Sequence, residues 1–302
     1  MSKRINPAII LLACLGTTVG PAWGSVPVFE RVIGPGDWVP YGTVLNASHL
    51  SINNSGDWVL GYSAVSESTG FVDFGILSSS GWQLEPRSTI STQGGDARFI
   101  EIQSLSINNH GDIAAGVKGA IFEPSLTFTS SILVNGNEFV HLNTAQSSWD
   151  FVPGHGPIPL GGIRDMRLND NGSIVLTSST NLPPGVIPQG PNLVSRIDPD
   201  TASPTGWSDQ VLSARYMPVQ GAPVDGEAFV LGFYNLPFQI NMSSTGQAVT
   251  FAEVQADHNG NGFPDQIRPM FLVDDTVIAY QGMAVPGNPS LSYAFFGRVM
   301  TS

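Results

Sequence analysis

Cysteine, lysine and long apolar runs are nearly missing from this sequence, and each scarcity removes a class of protein. The only cysteine is Cys14, so no intrachain disulfide, cysteine-based zinc knot or Cys-x-x-Cys redox pair is expected. Beyond residue 24 no stretch approaches about 20 uninterrupted apolar residues, so no transmembrane helix is expected. Charged residues make up only 12%, and 24 acidic side chains outnumber 12 basic ones. That balance repels phosphate backbones, which argues against a nucleic-acid partner. Nucleophile motifs of the G-x-S-x-G and S-x-x-K types are missing. The histidines, His49, His110, His141, His155 and His258, are scattered without an H-x-x-x-H pair. The enzyme classes that depend on these motifs have no foothold.

What is present begins with a leader. Lys3 and Arg4 precede the apolar run Ala8 to Leu15, and Ala22-Trp23-Gly24 follows. This is the order of a secretory signal peptide over residues 1–24, with the mature chain starting at Ser25 and exported to the periplasm or the exterior. Leu11-Leu12-Ala13-Cys14 also permits a lipobox reading, in which the chain is cut before Cys14 and anchored by acyl groups. Either cut leaves Lys118 as the only lysine. The remaining 25–302 are expected to form a single β-repeat domain, held by its core alone. With 34 glycines and 23 prolines, many short strands joined by tight turns are expected, an all-β fold.

An internal repeat carries the sequence. Leu50-Ser51-Ile52-Asn53-Asn54-Ser55-Gly56-Asp57 recurs as Leu105-Ser106-Ile107-Asn108-Asn109-His110-Gly111-Asp112. Looser copies run from Met166 to Ser173 and from Ile240 to Gln247, with Asn169 and Ser243 in the asparagine place and Gly172 and Gly246 in the glycine place. Apolar-polar-apolar alternation buries one face of a strand. An Asn or Ser three positions before Gly suits a type I turn whose glycine takes a left-handed conformation, after which a second strand resumes. Each copy is therefore read as a β-hairpin, and turn chemistry accounts for the asparagines without a ligand. A Gly and an apolar residue beside Pro recur near Gly36, Gly156, Gly221 and Gly282, and Met270 to Tyr280 reads as two strands about a tight turn.

On these residues the chain resembles secreted bacterial tandem-repeat proteins with the pattern N-x-x-G-x-x-A-F. It is also similar to the extracellular HAF repeats, whose I-N-x-x-G-x-V-V-G is matched in part within Ile52 to Gly61, at Ile52, Asn53, Gly56 and Val59. The resemblance implies export and a propeller-like architecture, and it implies no activity. Turn glycines at 56, 111, 172 and 246 fit four-stranded blades with insertions, giving a propeller of four or five blades. An irregular β-sandwich or an open stack of β repeats is the alternative. Gly282 to Arg298 parallels Gly36 to Ile52, as expected if the ends close a ring or if the chain is truncated.

Function is read as a secreted, non-catalytic binding or structural module, monomeric, with a glycan or a surface protein as partner. The alternative is a propeller-type glycoside-active enzyme, for which two carboxylates about 5–9 Å apart are needed. Asp73, Asp165, Asp209 and Glu227 lie on or near strand-like segments and are the candidates. One metal site is expected. Asp257-His258-Asn259-Gly260-Asn261-Gly262-Phe263-Pro264-Asp265 resembles the calcium loops of dockerins, thrombospondin type 3 repeats and EF-hands. By that resemblance Asp257, Asn259 and Asn261 supply side-chain oxygens, Phe263 its carbonyl and Asp265 a direct or water-bridged contact. Arg268 stands where an EF-hand places its bidentate Glu, so calcium binding should be weak.

Overall fold

The structure is a computed structural model, and it describes residues 12–13, 29–30, 33–39, 41–122, 125–142, 160–180, 191–214, 228–233, 240–243, 245–256, 266–280 and 283–292. Among these every regular element is a strand, so the fold is all-β, and no helix is long and apolar enough to cross a membrane. The calcium-loop residues Asp257 to Asp265, and Glu227, lie outside the described residues.

A two-stranded pairing joins β1 (Leu12–Ala13) to β2 (Phe29–Glu30). Four antiparallel meanders follow in chain order. The first contains β3 (Trp38–Val39), β4 (Gly42–Ile52), β5 (Trp58–Ser66), β6 (Val72–Ser78) and β7 (Gln83–Leu84). The second contains β8 (Thr89–Thr92), β9 (Gly95–Ile107), β10 (Ile113–Ile121), β11 (Thr127–Val134) and β12 (Asn137–His141). The third comprises β13 (Leu160–Leu168), β14 (Ile174–Thr180), β15 (Pro191–Pro199) and β16 (Trp207–Ala214). In the fourth, β17 (Ala228–Phe233) and β18 (Asn241–Met242) both pair with β19 (Ala248–Ala256), which continues to β20 (Gln266–Val273) and β21 (Thr276–Tyr280). A last hairpin joins β22 (Ala284–Val285) to β23 (Asn288–Ser292), as β3 joins β4 in the parallel segment. The chain divides into two compact units, Met1–Glu138 and Phe139–Ser302, with the boundary inside β12.

Each repeat copy occupies the same place in its meander, the turn into β5, β10, β14 or β19. Gly56, Gly111, Gly172 and Gly246 have φ of 86°, 85°, 85° and 83°, the left-handed region that glycine enters without a Cβ penalty. In the first copy the Gly56 N–H donates to the Asn53 carbonyl at 3.1 Å and the Asn53 N–H to the Asp57 carbonyl at 2.9 Å. Asn53 Oδ1 accepts the backbone N–H groups of Ser55 at 3.0 Å and Asp57 at 2.8 Å. Asn108 repeats this with His110 and Asp112, and Asn169 with Asn171 and Ser173. Ser243, one bond shorter, accepts the Gln247 N–H at 3.0 Å and shares a hydrogen bond with the Thr245 hydroxyl at 2.8 Å.

In the first unit the first two meanders share a core in which Val59 and Ile76 meet Phe99, Ile102, Leu105 and Ile113. Their turns are also bonded to one another. Asn53 Nδ2 donates to the Asn108 carbonyl at 2.9 Å, and the Asn54 N–H donates to Asn109 Oδ1 at 3.1 Å. The repeat's last glycine, Gly61, marks where the sheets approach closely: a Cβ there would lie 2.7 Å from Ile102 Cδ1 and 3.3 Å from Leu105 Cδ1. In the second unit Val175, Val194 and Leu212 of the third meander pack on Ala248, Met270 and Leu272 of the fourth. Ile174, Leu176, Leu193 and Ile197, which alternate with them, are also fully buried. Burial on both faces explains the uninterrupted Ile174-Val175-Leu176, where a half-exposed strand would alternate.

One expectation of buried alternation fails in the first copy. Leu105 and Ile107 are buried against the first meander, whereas Leu50 and Ile52 are 37% and 42% exposed. The same pattern points the pair away from the second meander, toward a face that Ile33 and Val39 cover in part.

Candidate functional site

The turn asparagines are occupied by structure, as turn chemistry predicts: their side-chain oxygens accept backbone N–H groups. Asp112 adds a second tier, taking hydrogen bonds from Asn135 Nδ2 at 2.9 Å and Asn108 Nδ2 at 3.1 Å. Those bonds hold its carboxyl below the ordinary range.

Two of the four candidate carboxylates, Asp165 and Asp73, make hydrogen bonds within the protein. Asp165, on β13, is buried. Its Oδ1 accepts from the Met166 N–H at 2.8 Å and Arg167 Nη1 at 2.7 Å. Its Oδ2 accepts from the Ile240 N–H at 3.0 Å, tying the third meander to the residue that leads into β18 of the fourth. Burial raises its pKa above the ordinary value despite Arg167 and the two amides. Asp209 lies on β16, with β14 and β15 between it and β13. Three strand spacings amount to about 14 Å, more than the separation of a glycosidase pair, so Asp165 and Asp209 are not brought together.

Asp73 belongs to a different cluster, which sequence reading did not assemble. The segment Glu85-Pro86-Arg87-Ser88 closes a turn in which the Ser88 N–H donates to the Glu85 carbonyl at 3.1 Å. Pro86 takes the first central place and Arg87 the second, with φ of 63°. This is the type II pattern, whose second central position favours glycine or asparagine. Arg87 is thus held in a conformation costing on the order of 1 kcal/mol. Its Nε donates to Asp73 Oδ2 at 2.6 Å, and the Tyr41 hydroxyl donates to the same oxygen. The guanidinium carbon lies 5.9 Å from the centroid of the Tyr41 ring and 5.7 Å from that of Phe71, within cation–π range of both. Burial, and then the hydrogen bond to Asp73, raise the pKa of Tyr41. The Phe71 ring is 66% exposed. Tyr41, Asp73 and Arg87 come from the link before β4, from β6 and from the β7–β8 turn, so no local pattern announces them. The one signal was an arginine after proline where a turn calls for glycine.

Among the described residues no group of three His, Cys, Asp or Glu side chains is placed to hold a metal ion. No family model matches the chain, and no curated protein does. Among solved structures it is similar to a protein of unknown function from Dyadobacter fermentans DSM 18053, at 11% identity and a TM-score of 0.40, over 89% of this chain and 71% of that one.

Proposed function

We propose that the chain is an exported, non-catalytic β-repeat module of the propeller type, acting outside the cytoplasm by binding a glycan or a surface protein. The observation that carries this reading is one repeat turn at the same place in four successive meanders, with its polar side chains committed to backbone hydrogen bonds. Such a scaffold repeats structure and leaves its rims and loops to recognise a partner. The reading of four or five blades is supported by the four meanders and by the further hairpin of β22 and β23. The commitment of Asp165 to backbone amides weighs against a role as a glycosidase acid. Export rests on the leader, and the mature protein starts at Ser25.

Intact mass of the protein secreted by a bacterial host should match residues 25–302. A lipid-modified N-terminal Cys14 would overturn soluble export and make the protein anchored. Incubated with neutral or acidic oligosaccharides, the protein should release no new reducing ends. Hydrolysis lost on substitution of a carboxylate would establish the enzyme reading in its place.

The calcium loop at 257–265 is part of the same proposal. With a Kd of about 10⁻⁴–10⁻³ M, about 10 mM calcium should stabilise the fold by about 1.4–2.7 kcal/mol. Thermal melts should show this rise for wild type and not for Asp257→Ala. Calorimetry without calcium uptake would reduce the segment to a surface loop.

A further inference from the structure

We infer that Arg87, Asp73 and Phe71 form a subsite for an uncharged sugar, an inference that rests on the binding-module reading and gives it a ligand class. Within the cluster, Asp73 Oδ2 receives both Arg87 Nε and the Tyr41 hydroxyl. Among the described residues, the hydrogen bonds of this pair run through Asp73 Oδ2 and Arg87 Nε, and Asp73 Oδ1 and the two terminal nitrogens of Arg87 take no part in them. An acceptor therefore stands beside a fork of N–H donors, with the side chains of Arg87 and Asp73 only 27% and 15% exposed. The fork is held in place by the rings of Tyr41 and Phe71 and by a backbone conformation that arginine rarely adopts. Of the three described non-glycine residues at positive φ, Arg87, Asn135 and Asp274, Arg87 alone is of a type that seldom enters that region, and such strain clusters at functional sites.

Charge selects the ligand. The guanidinium is already neutralised by Asp73, so a carboxylate or phosphate would meet the remaining carboxylate oxygen, and a cation would meet the guanidinium. Hydroxyl groups suit both, because each can donate to Asp73 Oδ1 and accept from Arg87. Two neighbouring hydroxyls on one pyranose ring present that donor and acceptor together. The exposed Phe71 ring supplies an apolar surface for the C–H face of the same sugar. The acidic balance of the whole chain, 24 acidic against 12 basic residues, points the same way, against an anionic polysaccharide.

Isothermal titration of the exported protein with cellohexaose, xylohexaose, mannohexaose and chitohexaose, and with hexagalacturonate, tests the assignment. At least one neutral hexaose should bind, and hexagalacturonate should not. Arg87→Gly should weaken binding by about tenfold or more; glycine accepts the positive φ, while Asp73 loses its ion-pair partner, so the melting temperature is read alongside to confirm that the variant is folded at the titration temperature. Phe71→Ala, at an exposed position, should weaken binding without unfolding. Neutral-sugar binding that both variants retain would overturn this subsite and leave the wider binding reading standing. So would a preference for hexagalacturonate. Binding of no neutral hexaose by wild type would also overturn the inference, whereas hydrolysis of any of them would strike at the non-catalytic reading.

Discussion

Valine in place of Gly56, Gly111, Gly172 or Gly246 is expected to destabilise the protein by about 1–3 kcal/mol at each site, because a β-branched residue is strained at positive φ. The four sites separate backbone strain from crowding. A Cβ at Gly56 or Gly111 meets nothing within 4 Å, so the cost there comes from the backbone alone. At Gly172 the added atom lies 3.4 Å from Pro199 Cγ, and at Gly246 it lies 3.5 Å from Asn169 Nδ2 and 3.7 Å from Arg196 Cδ. Gly172→Val and Gly246→Val should therefore cost at least as much as the other two, since the added γ-methyl groups have neighbours there and open space at Gly56 and Gly111. Asparagine, which tolerates the left-handed region, should cost less than valine at every site. Thermal melts of the single variants read these differences. Wild-type melting temperatures in all four valine variants would mean that the repeat does not depend on its turn.

Asp165→Ala should be at least as damaging. It leaves the Met166 and Ile240 amides without their carboxylate acceptor, at about 1–3 kcal/mol for each buried donor, and it cuts the link from β13 to the residue before β18 in the fourth meander. The loss is partly offset because a buried charge disappears, so about 2–4 kcal/mol is expected at neutral pH. Asp165→Asn should cost less, since its amide oxygen can still accept one of the two bonds.

The pH dependence has a definite sign. Burial raises the folded-state pKa of Asp165 above its ordinary 3.8, so between those two values the folded form holds more protons than the unfolded one. Stability contributed by this group therefore rises as pH falls through that window, and is lowest above it. Asn does not titrate. Denaturant melts of wild type and Asp165→Asn, taken from neutral pH downward, should show the difference between them shifting in favour of wild type as the pH drops. A difference that does not vary with pH, or wild-type stability in Asp165→Ala, would remove Asp165 from this role.

The turn and the strand it feeds were legible because both are local. The oxygen of Asn53 bonds amides two and four residues on, and the glycine's conformation depends on its immediate neighbours. The strands beginning at Trp58, Ile113, Ile174 and Ala248 follow from the same few residues. The Met270 to Tyr280 hairpin was readable for the same reason, and forms with Asp274 at φ of 54° between β20 and β21. Arg87 was not legible. Its partners lie 14 residues away at Asp73 and farther still at Tyr41, and its turn breaks the composition rule by which turns are recognised.

Acidic balance, the single cysteine and the all-β character were determined by the sequence itself, as were the repeat and the handedness of its glycines. These follow from composition and from interactions within a few residues, which no distant contact overrides. Tertiary structure alone decided which face of each hairpin is dry. Leu50-Ser51-Ile52 and Leu105-Ser106-Ile107 are the same tripeptide, yet the first apolar pair is partly exposed and the second buried, because the second packs on Val59 and Ile76 of the first meander. It also decided what the carboxylates do. Asp165 and Asp73 look alike along the chain, and differ because one is enclosed by backbone amides from two sheets while the other stands beside an arginine fork between two rings.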